Sequence, residues 1–135
     1  MMPVASNSAD VVIEGWSFGH VTGWYPDSWC EETNVMLSEM ARILKPSGTA
    51  ILIETMGTGN RQPQPPSEGL VELYRYWEEH HGFEYRWIRT DYQFASIAEA
   101  DELTRFFFGD SLADSLVAKN TTLLPECTGI WWKKF

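Results

Sequence analysis

Hydrophobic and polar positions along this chain of 135 residues predict strands that alternate with helices. Val11-Val12-Ile13 follows a polar, turn-rich segment, and a short β-branched run of this kind is typical of a strand buried on both faces. Residues 49–54 predict a second fully buried strand. Between them, apolar residues recur at helical spacing over residues 28–44. Strand, helix and strand form a βαβ unit, so we expect two parallel strands joined by a right-handed crossover.

The predicted helix ends at the segment Lys45-Pro46-Ser47-Gly48. Proline disfavours helical geometry at the residue before it. Glycine adopts a positive φ at little cost, so we expect Gly48 to turn the chain back into the second strand.

The second half of the chain continues the alternation. A loop rich in glycine, proline and glutamine covers residues 56–67, and a helix is predicted over 68–81, ending at Gly82. Residues 83–94 are strand-like, because they are dense in aromatic and β-branched residues. Ser96 and Glu99 form a capping box that begins a third helix, ending near Gly109. A further helix is predicted over 111–120 and a last strand over 126–134.

The chain has Asp10-Val11-Val12 before an aromatic loop and E-M-A-R-I-L-K-P-S-G at residues 39–48 before a strand, and this pattern resembles class I methyltransferases. That family often carries D-x-V before an aromatic loop and then E-x-x-R-x-L-K-P-G-G before a strand. In this chain Ser47 stands in place of the first glycine. The resemblance covers nearly the whole chain and is closest to the methyltransferase type 11-like group.

The resemblance implies an α/β fold, a partial Rossmann-like methyltransferase domain. Its sheet would be mostly parallel with about four strands, flanked by helices, and its last strand would be antiparallel and inserted between the second and third. Residues 1–135 would form the C-terminal half of the domain. The glycine-rich half that grips the cofactor, and the acid that holds its ribose, have no counterpart in this sequence.

Two acidic residues end the predicted parallel strands, and their loops should open on the same edge of the sheet. The methyl donor implied by the resemblance is S-adenosyl-L-methionine. Methyl transfer depends mainly on positioning, and aromatic faces attract a sulfonium. The candidate cofactor-binding residues are Glu14, Gly15 and Trp16. The candidate substrate-binding residues are Ser17, Phe18, Trp24, Tyr25 and Glu54.

Each candidate has a structural alternative. Glu14 would otherwise cap a nearby turn, and the aromatic residues would be packing or lid residues. His20 is a candidate general base, with a surface or structural histidine as the alternative. The run Phe106-Phe107-Phe108 suits the core or a lid better than a partner surface.

Two further patterns argue against other sites. Gly57-Thr58-Gly59 is followed by a proline-rich segment rather than a helix, which disfavours a phosphate-binding turn. His80 and His81 are adjacent on a helix and point about 100° apart, so no metal site is expected there.

Charge and cysteine content exclude some classes of binding partner and indicate a cellular location. The net charge of −9, with scattered cations, argues against nucleic acid. Cys30 and Cys127 show no metal or disulfide spacing and are expected to be reduced thiols, so we expect a cytoplasmic protein. The longest apolar run, residues 50–53, is too short to span a bilayer, so we expect no membrane association.

The predicted function is S-adenosylmethionine-dependent methyl transfer to a small-molecule acceptor when the domain is complete. The chain by itself should bind the cofactor weakly or not at all. The alternative is a non-catalytic methyltransferase-like partner or regulatory chain. Since the first strand would expose an apolar edge, we expect self-association or a second chain there.

Overall fold

A computed structural model describes residues 2–135 and shows a mixed α/β fold. A 3₁₀ turn, Phe18–His20, follows the first strand. The strands are β1 (Ala9–Gly15), β2 (Leu44–Thr58), β3 (Glu84–Arg89), β4 (Tyr92–Gln93), β5 (Leu123–Leu124) and β6 (Glu126–Lys134). The helices are α1 (Val21–Trp24), α2 (Trp29–Ile43), α3 (Glu68–Glu79), α4 (Ile97–Phe108) and α5 (Asp110–Ala118). No helix within residues 2–135 is both long enough and apolar enough to cross a membrane.

The main sheet has four strands in the order β1-β2-β6-β3. β1 and β2 are parallel, as predicted. β6 runs antiparallel to β2, because Phe135 exchanges hydrogen bonds with residues 47 and 48 at one end, while Pro125 accepts one from Gly59 at the other. The predicted insertion of an antiparallel last strand between the second and third is therefore confirmed.

Several boundaries follow the sequence pattern closely. α2 lies within the predicted residues 28–44, and β6 has the predicted bounds. The amide N–H of Glu99 donates to Ser96 Oγ at 3.1 Å, as in the expected capping box. The Glu99 carboxylate reaches back to the N–H of Ala95 at 2.6 Å, one residue before the cap.

β1 differs from its prediction, because it is not buried on both faces. It lies at the edge of the sheet, where Val11 is 50% and Ile13 is 62% exposed. β2 is an interior strand in which residues 48–56 alternate between buried and half-buried positions, with Ala50 and Leu52 fully buried, so it too is not fully buried as predicted. Strand composition alone does not distinguish an edge from an interior position.

The segment at residues 45–48, predicted as a turn before the second strand, lies within β2 and also differs in its backbone conformation. Ser47 adopts φ = 67°, whereas Gly48 does not have a positive φ. Gly48 is required for space instead, since a Cβ there would lie 2.9 Å from the Lys45 carbonyl oxygen and 3.2 Å from that of Asp10. The departure from the family pattern at Ser47 thus falls on the left-handed position, where glycine avoids strain.

Two other segments are more divided than predicted. Residues 15–25, expected as a loop, contain the 3₁₀ turn and α1. Residues 83–94 break into β3 and β4, and β4 pairs with β5 in a separate two-stranded sheet.

The chain divides into two compact units, and the first contains residues 2–54, 67–86 and 129–135. Its core contains two fully buried tryptophans, Trp77 and Trp131, which meet edge to face with ring centroids 5.2 Å apart. Tyr74 packs on Trp131, whose Nε1–H donates to Glu78 Oε1 at 2.9 Å. The indole thus buries a large apolar area while its polar atom keeps a partner.

The second unit contains residues 55–66 and 87–128. Its small core includes Ala100, Leu116 and Leu124. Arg105 on α4 makes ion pairs with three aspartates, at positions 101, 110 and 114, which link α4 to α5. The interpretation of residues 106–108 as core is wrong, because Phe106 is 80% and Phe107 is 66% exposed.

Candidate functional site

Two buried carboxylates lie on neighbouring parallel strands, level with the carboxyl end of β1. Glu14 on β1 pairs in register with Leu52 on β2, and Glu54 follows two residues later. The next residue after β1, Trp16, donates its N–H to Ile53 O at 2.8 Å. Glu14 is 7% and Glu54 is 4% exposed. The expectation that both acidic residues reach the same edge of the sheet is confirmed.

Both carboxylates hold the loop at residues 17–19. Glu14 Oε1 accepts hydrogen bonds from Ser17 N–H at 2.7 Å, from Ser17 Oγ–H at 2.8 Å and from Phe18 N–H at 2.9 Å. Glu54 Oε1 accepts from Gly19 N–H at 2.7 Å. Three consecutive backbone N–H groups are thus bound by two side chains from adjacent strands, and the loop is fixed to the strand ends. We call this arrangement the carboxylate rim, comprising Glu14, Glu54 and residues 17–19.

Gly19 is required for the close approach of Glu54. A Cβ at Gly19 would lie 2.9 Å from Leu70 Cδ2 and 3.1 Å from Glu54 Oε1. Its φ is not positive, so the requirement comes from space rather than from backbone conformation. The sequence pattern singled out the acids but not this glycine.

The second oxygen of Glu14 has a different environment. Glu14 Oε2 is buried and has no hydrogen-bond donor among the described residues. A buried acceptor without a partner costs free energy, about 1–3 kcal/mol. Glu14 therefore does cap a turn, as its structural alternative held, but through one oxygen only. The other oxygen lies on a residue that lines a groove but has no donor of its own.

An open groove of about 1030 Å³ lies along β1 and α2. Four of the predicted site residues line it: Glu14, Gly15, Ser17 and Phe18. Trp16, His20, Trp24, Tyr25 and Glu54 are not among its lining residues. The groove combines an apolar wall with the buried acceptor of Glu14, which suits a ligand that has both an apolar part and a hydrogen-bond donor.

The α2 side of the groove was missed by the sequence analysis. Val35, Met36 and Met40 line it together with Ile13 of β1. Val35 is 66% exposed, and an apolar residue on the outer, otherwise polar side of an amphipathic helix was the available signal.

The exposed aromatic residues stand around the loop. Trp16 has φ = 53° and is 54% exposed, although a bulky residue rarely adopts this left-handed conformation. Trp24 is 69% exposed and stacks on His20, with ring centroids 5.0 Å apart. Tyr25 is 46% exposed. Trp16, Trp24 and Tyr25 are not core residues, so each has a surface free for contact with a ligand.

A charged pair lies on the lining of the same groove. Arg42 donates to both oxygens of Glu39, through Nε at 2.8 Å and Nη2 at 2.7 Å. The Met2 N–H also donates to Glu39, at 2.7 Å. These hydrogen bonds lower the pKa of Glu39 to about 2. Arg42 Nη1 binds the carbonyl of Val4, so the pair fastens the N-terminal segment to α2.

The remaining motifs stay outside the site. After Gly57-Thr58-Gly59 the next helix begins only at Glu68, so no helix N-terminus directly follows the glycines. Within residues 2–135, no group of three His, Cys, Asp or Glu side chains is placed to hold a metal ion. Burial lowers the pKa of His81, with the nearby charge of Lys133 as the second cause.

Comparison with known proteins gives structural matches alone. No family model and no curated protein sequence matches this chain. Three solved structures resemble it over 99% of its length: a candidate methyltransferase from Bacillus halodurans C-125 (TM-score 0.46, 14% identity), the MccD protein (0.44, 14%) and the cyclase SpnF (0.39, 17%). The chain spans 67%, 64% and 52% of the lengths of these three proteins, respectively.

Proposed function

We propose that this chain is the substrate-side half of a methyltransferase domain that transfers a methyl group from S-adenosyl-L-methionine to a small molecule. The observation that carries the proposal is the carboxylate rim, which lies where open α/β sheets bind ligands. The strand order β1-β2-β6-β3 and the segment at residues 39–48 agree with the resemblance stated above.

The residues of the rim fit the methyl-donor end of the cofactor. Glu14 lines the groove and its Oε2 has no donor among the described residues, whereas the cofactor carries an ammonium group that donates hydrogen bonds and a sulfonium that adds positive charge. Phe18 lines the same groove and offers an aromatic face to a cation. When bound, the cofactor supplies an electrophilic methyl group to a nucleophilic atom of the acceptor. Gly15 leaves the backbone open, since a Cβ there meets no described atom within 4 Å.

Within this proposal the chain's own residues orient the reactants. The carboxylates fix the loop at residues 17–19, so that Ser17 and Phe18 keep one position beside the groove. Trp16, Trp24 and Tyr25 supply aromatic surface for the acceptor, and His20 is the candidate base for acceptors that must lose a proton. Positioning of this kind contributes several kcal/mol to transfer reactions, up to about 7–11 kcal/mol in the best cases.

The cofactor affinity of the isolated chain should be low. No glycine-rich loop binds the far end of the cofactor in this sequence, so we expect a dissociation constant in the millimolar range or weaker. Isothermal titration calorimetry with S-adenosyl-L-methionine measures it. A micromolar dissociation constant would contradict the assignment of these residues to the substrate side.

Chemical-shift mapping tests the location. Several millimolar S-adenosyl-L-homocysteine should shift the amide resonances of residues 14–18, and Glu14→Gln should reduce the shifts. Glu84→Gln, a change to an exposed glutamate on β3, is the matched control. No shift at residues 14–18, or equal shifts in the Glu14→Gln variant, would refute the proposed site.

A non-catalytic role is the second candidate. It is favoured by the use of both carboxylates as loop anchors, because Oε1 of each acid already binds backbone N–H groups. In that case the scaffold would be retained and the chain would act as a partner or regulator of another methyltransferase chain. Co-purification with a second chain that binds S-adenosyl-L-methionine tightly, with no change in its turnover when Glu14 is replaced by Gln, would favour this role.

The exposed edge of β1 belongs to the same proposal. Val11 and Ile13 leave apolar surface on an edge strand, and such edges pair with other strands. We expect pairing with a second copy or with a second chain. Ile13→Lys should abolish the association seen by size-exclusion chromatography with light scattering, whereas Ile88→Lys on β3, at the other edge of the sheet, should not. A monodisperse wild-type monomer that also captures no second chain would contradict the expectation.

A further inference from the structure

A second cavity, of about 410 Å³, lies within the unit that contains α4 and α5. It is formed by the loop after β2, by α5 and by the segment that leads into β6. Its volume is within the range of small-molecule sites, about 300–1000 Å³. We call it the cationic cavity, because Arg61 and Lys119 line it.

Arg61 and Lys119 are the only charged side chains among the described residues that line this cavity. Both are cations in a chain whose net charge is −9. Within residues 2–135 neither forms an ion pair or a side-chain hydrogen bond with an acid. The charge of Arg61 contributes to the lowered pKa of Asp91, but the Asp91 carboxylate is bound by Arg89 through two hydrogen bonds of 2.8 and 2.6 Å. Neither cation of the cavity therefore has an acid as a direct hydrogen-bond partner within residues 2–135.

Lys119 is not needed to complete the end of α5. A cation at a helix C-terminus often offsets the partial charge of the last carbonyl groups. Here the carbonyls of residues 115–117 accept hydrogen bonds from the backbone N–H groups of residues 119–121. The Lys119 ammonium group is thus available for a ligand.

The rest of the lining consists mostly of leucine side chains, together with the hydroxyl groups of Ser115 and Thr121. Leu112, Leu116 and Leu124 line the cavity, and Leu116 and Leu124 are 4% and 1% exposed. Thr121 Oγ1 accepts from the N–H of Leu123 at 3.2 Å, so its own proton remains free to donate.

Gly59 gives the cavity its shape. It has φ = 82°, and a Cβ there would lie 2.6 Å from Leu112 Cδ2. The Gly59 N–H donates to Pro125 O at 2.7 Å, which holds the loop after β2 against the segment before β6. Glycine is therefore required for both conformation and space.

We propose that the cationic cavity binds a small organic anion with an apolar chain or ring, such as a medium-chain carboxylate. The guanidinium group of Arg61 binds the head group through paired hydrogen bonds, and Lys119 adds a second charge. The leucine side chains contact the apolar part. The proposal does not depend on methyl transfer, because all of the residues involved lie in the second unit.

Four probes of equal chain length test the ligand class: octanoate, octyl phosphate, 1-octanol and octylammonium. Titration of the full chain, followed by the amide resonances of Gly59, Thr121 and Leu123, should show binding of octanoate at least tenfold tighter than that of 1-octanol. Octylammonium should not bind. Tighter binding of octyl phosphate than of octanoate would support an anion-binding site but would identify its ligand as a phosphate ester. Equal affinity for octanoate and 1-octanol, or no shift at these amides with either anion, would overturn the proposal.

Variants test the two cations. Arg61→Gln and Lys119→Gln should each weaken octanoate binding roughly tenfold, because a hydrogen bond to a charged group is lost. Arg86→Gln and Lys134→Gln make the same charge changes at exposed positions outside the cavity and should leave the affinity unchanged. Equal effects of both pairs would show a response to net charge alone and would overturn the assignment.

Discussion

The carboxylate rim and the cationic cavity use charge in opposite ways. At the rim, Glu14 and Glu54 are almost fully buried, and each has one oxygen bound to backbone N–H groups of the loop. In the cavity, Arg61 and Lys119 are exposed and pair with no acid among the described residues. A buried charge must be compensated by the fold, whereas an exposed charge is free for a ligand. Loss of the acids should therefore lower the free energy of unfolding, whereas loss of the cations should weaken ligand binding with little effect on stability.

Removal of the Glu14 side chain should have the largest effect. Glu14→Ala leaves two part-buried backbone N–H groups without their charged acceptor and should lower the free energy of unfolding by about 3 kcal/mol. Glu14→Gln keeps an acceptor oxygen, so its cost should be about 1 kcal/mol. Urea denaturation measures both, with Glu84→Ala as an exposed control expected within about 0.5 kcal/mol of the wild type. Equal stability of Glu14→Ala and the wild type would show that the rim does not hold the loop.

A methyl group at Gly19 should disturb the other half of the rim. Gly19→Ala places a Cβ against Leu70 and Glu54, and such overpacking costs about 1–3 kcal/mol. Gly23→Ala is the matched control in α1, because its Cβ meets no described atom within 4 Å. If both variants unfold at the same urea concentration, the close approach of Glu54 to the loop is not a constraint.

Acid should release the N-terminal segment from α2. The folded pKa of Glu39 is lowered from 4.5 to about 2, so its contribution is complete above pH 4.5 and is lost as the pH falls towards 2. The amide resonances of residues 2–6 should therefore shift over this interval. Glu39→Gln should show little of this shift, and a transition centred near pH 4.5 in the wild type would contradict the lowered pKa.

The cations of the cavity should have the smallest effect on stability. Arg61→Gln and Lys119→Gln should each change the free energy of unfolding by less than about 0.5 kcal/mol, because exposed charges without partners contribute little. Octanoate binding should nevertheless weaken as sodium chloride rises from 0.02 to about 0.5 M, since salt screens exposed charges. If either variant lowered the free energy of unfolding as much as Glu14→Ala does, the proposed difference between the two regions would be contradicted.

The sequence predicted the helices and strands better than it predicted their burial and their positions in the sheet. α2 and β6 follow from local signals, which are helical periodicity with acidic residues in the first turn, and an apolar run after a proline. The position of β1 at the sheet edge depends on which strands pair, and its composition is equally suited to an interior strand. The same limit explains residues 106–108, because a phenylalanine run suits a core in composition but α4 leaves Phe106 in solvent.

In the candidate sites, too, local sequence signals identified some residues but not those whose roles depend on contacts between distant segments. Glu14 and Glu54 were found because an acid directly after an apolar strand is conspicuous, and parallel pairing brings such residues to one edge. The roles of Gly19 and Val35 depend on contacts between distant segments. Arg61 and Lys119 are 58 positions apart, and nothing in the sequence between them signals that they line one cavity.

The central claim is that Glu14 and Glu54 divide the loop between them, and the amide proton shifts of Ser17, Phe18 and Gly19 test it most directly. A hydrogen bond to a carboxylate moves an amide proton downfield. Glu14→Gln should therefore move the Ser17 and Phe18 protons upfield and leave Gly19 in place, whereas Glu54→Gln should move Gly19 alone. Movement of all three protons in either variant, or of none in both, would contradict the account.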